Sequence, residues 1–519
     1  MIIPERIVGI EQLFTPLSTT RLLLERDLFA FETRTLAALL GLEIGRASRL
    51  LARMERDGLV ARLERGKYVL LGLHPEQALS NPLFLGNQFV TPSYISFWSA
   101  LHFHGFTEQA PRQVFVAVTR AKRPLTWRGT AFRFVRLQPH AFFGYRRETL
   151  GGLPVTVADE AKALVDSLAL PQYAGGVSEV AKALRNALHG QVSATDLIDY
   201  ARRLGNASLQ ARLGYLLEAV GQPADGLTPP TGPVRLDPRH PRAENTSLAG
   251  GSTSTSRARR SSPQESAEML TRAQIQRLAQ RSGIGLQAQE RDYVQHLLLF
   301  LLYGRSQALL FKGGTALRVA YRGNRYSEDL DFNGPPDAAF LQGLWDGVVS
   351  GLGDFGLRAE VRNAWQSEVG YSFDVSYQGP LYDGRDRTKV RVDVNLRAEA
   401  VESRAVLVTP EYDDQRPFVV QALTLEHLLA EKVRAFLVRG RPRDLYDLWL
   451  LTAQGVPLDP DLARAKLVLY DLKPSTALLE QAFRQAATDW ESDLRPLLPR
   501  FVSWETVAPL RERLSCLLL

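Results

Sequence analysis

The residues best suited to chemistry lie between Lys312 and Phe332, in the run KGGTALRVAYRGNRYSEDLDF. Gly313-Gly314 is followed there by an Asp-x-Asp, Asp329 and Asp331. In a strand, residues i and i+2 point to one face, so these carboxylates stand side by side while Leu330 and Phe332 turn to the core. Carboxylates held that close repel each other unless a cation sits between them. Oxygen ligands, with room left for phosphate oxygens, favour Mg2+. The glycines let the backbone approach a phosphate, and their N–H groups can point at it if Thr315 opens a helix. Alone, Gly-Gly reads as a turn and Asp-x-Asp as a solvated strand edge. Together, with apolar residues at the alternate positions, they indicate metal-assisted transfer of a nucleotide.

A third carboxylate fits the same chemistry. VRVDVNL, Val390 to Leu396, alternates strictly, with Arg391, Asp393 and Asn395 on the polar face. If this strand lies beside that of Asp329, Asp393 completes a three-carboxylate cluster, as a further metal ligand or as general base on an attacking hydroxyl. The plainer alternative is a half-buried sheet with one solvated side. Beyond it, LTLEHLLAEKVRAFLVRGRPRDLYDLWLL, Leu423 to Leu451, repeats apolar residues at helical spacing. Lys432 and Arg439 share a face away from the apolar stripe. Gly440 and Pro442 end that helix, and Asp444 opens another, with Asp447 one turn in. Lys432 can offset triphosphate charge, with Asp444 or Asp447 positioning it or an incoming group. Taken by itself this segment reads as caps and i,i+4 pairs such as Arg443–Asp447.

These elements belong to a multi-domain chain. Its 519 residues suffice for two to four domains with cores of their own. No apolar run is long enough to span a bilayer, no signal peptide opens the chain, and Tyr293–Tyr303 reads as a buried helix beside the nucleotide-binding strands. The one cysteine, Cys516, excludes an intrachain disulfide and a cysteine zinc site. The cytoplasm is the expected compartment. Charge is uneven: residues 1–226 carry 26 basic and 20 acidic side chains, residues 267–519 carry 31 and 33. A basic N-terminal part suits a polyanion. RNA contact in the C-terminal part then needs a local patch, for which Arg385, Arg387, Lys389, Arg391, Arg439, Arg441 and Arg443 are candidates.

The first 72 residues read as helix, turn, helix and β-hairpin, the order of a winged helix-turn-helix. Glu32–Leu40 is the first helix and Gly45–Asp57 the second, followed by two strands around Arg65-Gly66. On the second helix Ala47, Leu50, Leu51 and Met54 face one way. Arg46, Arg49, Arg53 and Arg56 fall within about a quarter turn elsewhere. Four arginines on a recognition helix suit phosphate and guanine contacts, with Arg62, Arg65 and Lys67 on the wing. The alternative is a winged helix used for protein contact. In residues 73–226, Arg112–Arg120 and Ala131–Leu137 alternate as strands, and His102 and His104 read as structural. Residues 227–268 are rich in Pro, Ser, Thr, Gly and Arg, poor in large apolar residues, and read as a flexible linker.

KGGTAL (Lys312–Leu317), SEDLDF (Ser327–Phe332), VDVNL (Val392–Leu396), AEKVRA (Ala430–Ala435) and RDLYDL (Arg443–Leu448) occur in one order across residues 269–519. That half resembles the AbiEii family of nucleotidyltransferase toxins, from the AbiE toxin–antitoxin and phage-defence systems. Residues 1–226 resemble the AbiEi antitoxin. The resemblance implies a multi-domain α+β fold: a winged helix-turn-helix (1–72), an α/β antitoxin C-terminal domain (73–226), the linker (227–268), and a polymerase β-like nucleotidyltransferase domain with a helical C-terminal part (269–519). It implies Mg2+ at Asp329, Asp331 and Asp393, an NTP at Lys312, Gly313, Gly314, Thr315 and Ser327, and catalytic parts for Lys432, Asp444 and Asp447. The implied partners are an RNA acceptor such as tRNA, whose modification blocks translation, and operator DNA bound by an autoregulatory antitoxin half. An antitoxin–toxin contact within the chain is a further expectation. The alternatives are a transcriptional regulator with a non-catalytic module, or nucleotidylation of a protein or small molecule.

Overall fold

The computed structural model describes residues 14–190, 192–228, 234, 236, 270–385 and 387–518. Nearly all of the expected linker lies outside these. The chain packs as two compact units, residues 1–135 with 145–193 and residues 136–144 with 194–519.

The first unit opens with helix α1 (Pro16–Glu25), strand β1 (Ala30–Glu32), helices α2 (Thr33–Leu40) and α3 (Ile44–Arg56), and strands β2 (Val60–Glu64) and β3 (Lys67–Leu70). The sheet order is β1-β3-β2. Gly41, left-handed at φ 63°, closes α2 and turns the chain into α3. Ala47, Leu50, Leu51 and Met54 are buried, as their spacing requires. The two helices and the hairpin strands lie where the sequence put them, preceded by α1 and β1, which the periodicity did not announce. The hairpin is tied to the rest of the unit: Lys67 Nζ donates to the Phe89 carbonyl at 3.0 Å, and Trp127 Nε1 to the Arg62 carbonyl at 3.0 Å. Lys67 therefore does not project from the wing as expected. A mixed sheet comes next, β4 (Ser93–Ile95), β5 (Gln113–Val118), β6 (Leu125–Trp127), β7 (Thr130–Arg136), β8 (Tyr145–Leu150) and β9 (Leu153–Ala158), in order β6-β7-β5-β4-β9-β8. His104 Nε2 lies 2.7 Å from the Ala158 carbonyl, in keeping with a structural role.

The second unit is built on a seven-stranded sheet, β10 (Leu310–Lys312), β11 (Asp329–Asn333), β12 (Arg358–Gln366), β13 (Gly370–Gln378), β14 (Thr388–Asn395), β15 (Ser403–Val408) and β16 (Phe418–Leu423). Its order is β12-β13-β14-β11-β10-β16-β15. Strands β11 and β14 run parallel, with Asp329 opposite Arg391, Asp331 opposite Asp393 and Asn333 opposite Asn395. Helix α4 (Leu286–Tyr303) lies against the sheet with Tyr293, Val294 and Leu297 to Leu299 buried. Helix α5 (Gly313–Val319) links β10 toward β11. After β16, helices α6 (Leu425–Arg439), α7 (Pro442–Ala453) and α8 (Thr476–Leu494) pack around Leu429, Phe436, Leu445, Tyr446, Phe483 and Trp490. Gly440, at φ 57°, ends α6, and Pro442 starts α7. Residues 194–219, counted above with the antitoxin half, fold into two helices of this unit. Tyr200 meets Phe143 edge-on at 5.2 Å, and the Arg203 guanidinium lies 3.9 Å from the same ring. Among the described residues no helix is long and apolar enough to cross a membrane.

Candidate active site

The site grows from the order of strands. Lys312 opposes Asp331 on the antiparallel β10–β11 pair, and Asp331 opposes Asp393 on β14. Directly opposed residues share a face of the sheet, so Lys312, Asp331 and Asp393 form one row. Apolar neighbours Phe311, Leu330, Phe332, Val392 and Val394 go to the other face and are buried. A cavity of about 270 Å³ opens over the row, lined among others by Lys312, Gly313, Gly314, Asp331, Asp393, Lys432 and Asp444.

Both glycines are required by what they touch. Gly313 has φ 77°, and a Cβ there would run into the Asp331 carboxylate. A Cβ on Gly314 would meet the Arg325 guanidinium and come within 2.9 Å of Ser327 Oγ. As the first residues of α5, their N–H groups lack intrahelical acceptors. Thr315 and Ser327 are placed differently from expectation. Thr315 is fully buried with its hydroxyl donating to the Asp329 carbonyl, so it fastens α5 to β11 instead of facing the cavity. Ser327 lies behind Gly314, away from the cavity lining.

The row concentrates negative charge. Burial, with Asp329 and Asp393 adding repulsion, raises the Asp331 carboxyl from 3.8 to about 6. Burial also raises Asp329, reinforced by Glu328 and Asp393 and opposed by Arg443 and Arg291. A divalent cation would relieve the crowding of negative charge, so the residues present fit one. The three carboxylates do not form the closed cluster expected of them: no group of three or more acidic or histidine side chains among the described residues is arranged to hold an ion. Asp329 sits one rung along from Asp331, opposite Arg391, and Asp393 leans toward the Arg391 Nε at 3.4 Å.

A buried network that the sequence only half disclosed adjoins the same cavity. Lys432 Nζ reaches Asp444 at 2.9 Å and Asp447 at 2.7 Å. Arg325 donates to both Asp447 oxygens, at 2.8 and 2.7 Å, and to the Tyr326 carbonyl at 3.0 Å. Burial would lower Lys432 and Arg325, but the two aspartates outweigh it and raise both. The same partners hold Asp447 down against burial. Two cations and two carboxylates cancel, so the network delivers little net charge to the cavity. Asp447 is directed at Arg325 and Lys432 and is absent from the lining, whereas Asp444 lines the cavity and its Oδ2 is buried without a hydrogen-bond partner. Arg443 meets Glu328 at 3.5 Å and Asp493 at 4.0 Å, which displaces the expected Arg443–Asp447 pair. A second group was not foreseen. Lys466 bridges Glu399 and Glu431 at 3.0 and 2.9 Å, and burial of Glu431 is outweighed by Lys312, Lys466 and Arg434, which hold it at about 2.

Residues 299–508 match the nucleotidyl transferase AbiEii toxin family of type IV toxin–antitoxin systems. Residues 94–219 match the AbiEi antitoxin C-terminal domain. The chain is a fused AbiEi–AbiEii protein. Its AbiEii half is a nucleotidyltransferase. Two solved structures are similar: MenT4, a nucleotidyltransferase toxin of Mycobacterium tuberculosis H37Rv, with 22% identity and a TM-score of 0.40 over 48% of this chain and 89% of that one; and JHP933 from Helicobacter pylori, with 20% identity and a TM-score of 0.34 over 45% and 93%. No curated relative matches the chain.

In the AbiEi half, Arg46, Arg49, Arg53 and Arg56 are exposed on the α3 face opposite its buried side, and Arg65 is exposed at the hairpin turn. In the AbiEii half, the patch proposed from sequence thins out. Arg387 pairs with Glu360, Lys389 with Asp374, and Arg391 with Asp374 and Asp393. Arg439 and Arg441 remain exposed, and Arg439 lines the cavity. Arg397, and Arg434 from the AEKVRA motif, neither of them among the patch candidates, line the cavity too, stacked over the Tyr470 ring at 4.7 and 4.1 Å.

Proposed function

We propose that the AbiEii half transfers a nucleotide from an NTP to an RNA 3′-hydroxyl, with tRNA as acceptor and arrest of translation as the consequence. The observation that carries this is the row Lys312–Asp331–Asp393 beneath one cavity, with Gly313 and Gly314 at one end and Lys432 and Asp444 above. Asp331 and Asp393, with Asp329 beside them, would hold Mg2+, which supplies neutralisation of charge developing on the phosphates. Lys312 and the Gly313 and Gly314 N–H groups would hold the triphosphate. Asp393, half exposed, is positioned to accept the proton of the attacking hydroxyl. The hydroxyl oxygen bonds to the α-phosphorus as the bond to the leaving pyrophosphate breaks. Lys432 would act through Asp444, the carboxylate of its pair that lines the cavity.

The AbiEi half would act on the operator through α3, whose four exposed arginines suit a major groove. The test is incubation of the whole chain with labelled NTPs, Mg2+ and total tRNA. Label in the RNA that disappears in Asp331→Ala supports the reading. Label confined to protein or small molecules would redirect it.

A further inference from the structure

The row through the carboxylates continues past Asp393. Ser372 on β13 opposes Asp393, and Trp365 on β12 opposes Ser372. Lys312, Asp331, Asp393, Ser372 and Trp365 therefore follow one line across five strands on one face, and all five line the cavity. Adjacent strands lie about 4.8 Å apart, so the Trp365 backbone stands about 10 Å from that of Asp393 and about 14 Å from that of Asp331.

Trp365 reaches this face through an irregularity. Arg362 opposes Asp374 and Trp365 opposes Ser372, so β12 carries one extra residue there. Asn363 adopts φ 52° and donates to Asp374 at 2.9 Å, fixing the bulge. A regular strand would turn Trp365 to the opposite face. Trp365 is 59% exposed and lines the cavity beside Gly370. A large aromatic half in solvent on the lining of a charged cavity presents a flat face on which a base can stack.

We propose that Trp365 is the stacking platform for the 3′-terminal nucleobase of a single-stranded RNA acceptor. The inference rests on the reading of the site as an RNA nucleotidyltransferase. Its direction comes from the row. The triphosphate end is set by Lys312 and the glycines, and in-line displacement brings the nucleophile from the side opposite the leaving pyrophosphate. That side is the Asp393 side, and Trp365 lies beyond Asp393. Every base offers a π-face, so such a platform accepts any terminal nucleotide.

The test uses the whole chain as wild type, Trp365→Ala and Trp365→Phe. Initial rates give KM for RNA and for NTP. Fluorescence anisotropy of a short 5′-labelled oligoribonucleotide, with excess unlabelled duplex DNA occupying the basic N-terminal unit, gives Kd without NTP. Trp365→Ala should raise both the KM and the Kd for RNA by roughly 5- to 100-fold. It should leave KM for NTP and kcat within about twofold, and Trp365→Phe should restore most of the loss. An oligonucleotide with an abasic 3′ nucleotide should bind wild type as weakly as the normal one binds Trp365→Ala. A rise in KM for NTP with an unchanged RNA Kd would overturn the proposal, because the indole would then stack the incoming base. Unchanged values throughout would overturn it also. If wild type labels no RNA, the proposed function fails, while the anisotropy still decides the stack.

Discussion

Asp331→Asn should make the metal-free protein more stable and abolish transfer. The Asp331 carboxyl is raised from 3.8 to about 6, first by burial and then by Asp329 and Asp393. The folded state thus binds this proton more tightly than the unfolded chain. Its contribution to stability is fully present below about pH 4 and is lost as pH rises through about 6. At pH 7 the group is ionised in both states, and keeping the charge in the folded protein costs about 3 kcal/mol. Asparagine removes that charge at nearly constant volume. The variant should therefore gain about 2–3 kcal/mol at pH 7, shrinking to about 1 kcal/mol at pH 4.5. For a unit of this size that gain is a rise of roughly 3–6 °C in the melting transition at pH 7. Calorimetry of the whole chain in EDTA, following the transition of the AbiEii half, measures it. Added Mg2+ should raise the wild-type transition and leave that of the variant in place. A variant that melts lower than wild type at pH 7, or shifts equally at both pH values, refutes the reasoning.

Three further outcomes are expected. Arg325→Ala should destabilise the AbiEii half by about 3–5 kcal/mol in urea melts, because it leaves the Asp447 carboxylate buried with only Lys432; combined with Asp447→Leu, the loss should fall well short of the sum of the singles. Gly313→Ala should cost about 1–3 kcal/mol from its φ of 77° alone and displace the Asp331 carboxylate, so that transfer falls more than the folded fraction does. Arg49→Ala with Arg53→Ala should weaken operator binding and flatten the dependence of log K on log salt by about 2, read by anisotropy across salt concentrations; an unchanged slope would place the DNA interface elsewhere.

The buried network explains why α6 and α7 carry so much charge in an otherwise apolar bundle. Arg325 is 3% exposed and Asp447 2%, and ions so buried would not hold their charge unpaired. Their bidentate bond ties the loop before β11 to α7, while Lys432 ties α6 to the same helix. Gly314 lies directly over the Arg325 guanidinium, so the helical hairpin and the glycine turn are held in one register. A hydrophobic contact would give comparable stability without the angular precision of a planar fork. The network is thus better suited to positioning Asp444 at the cavity than to offsetting triphosphate charge, for which Lys312 on the row is better placed.

How much of this was readable in the sequence depends on the range of the interaction that sets each feature. Period-two alternation in VRVDVNL and the apolar stripe of α3 are local, and both appear where expected, with Val390, Val392, Val394, Leu50, Leu51 and Met54 buried. Asp393 reached Asp331 because strict alternation on two parallel neighbours leaves few registers that bury both apolar faces. Partner choice was harder. Nothing in the spacing of Arg443 and Asp447 forbids an i,i+4 pair, yet Asp447 takes the more deeply buried Arg325, more than a hundred residues away in sequence. Arg325 itself stands unremarkable between KGGTAL and SEDLDF, because a burial partner on a distant helix has no local signature. Glu431 and Lys466 were missed for the same reason. Trp365 is the extreme case. Its face depends on parity, and one extra residue at Asn363 inverts the parity of everything after it on β12. An asparagine tolerant of the left-handed region is a signal that a bulge is permitted there. Only the paired strand decides that it occurs, and with it whether the indole meets the cavity or the opposite side of the sheet.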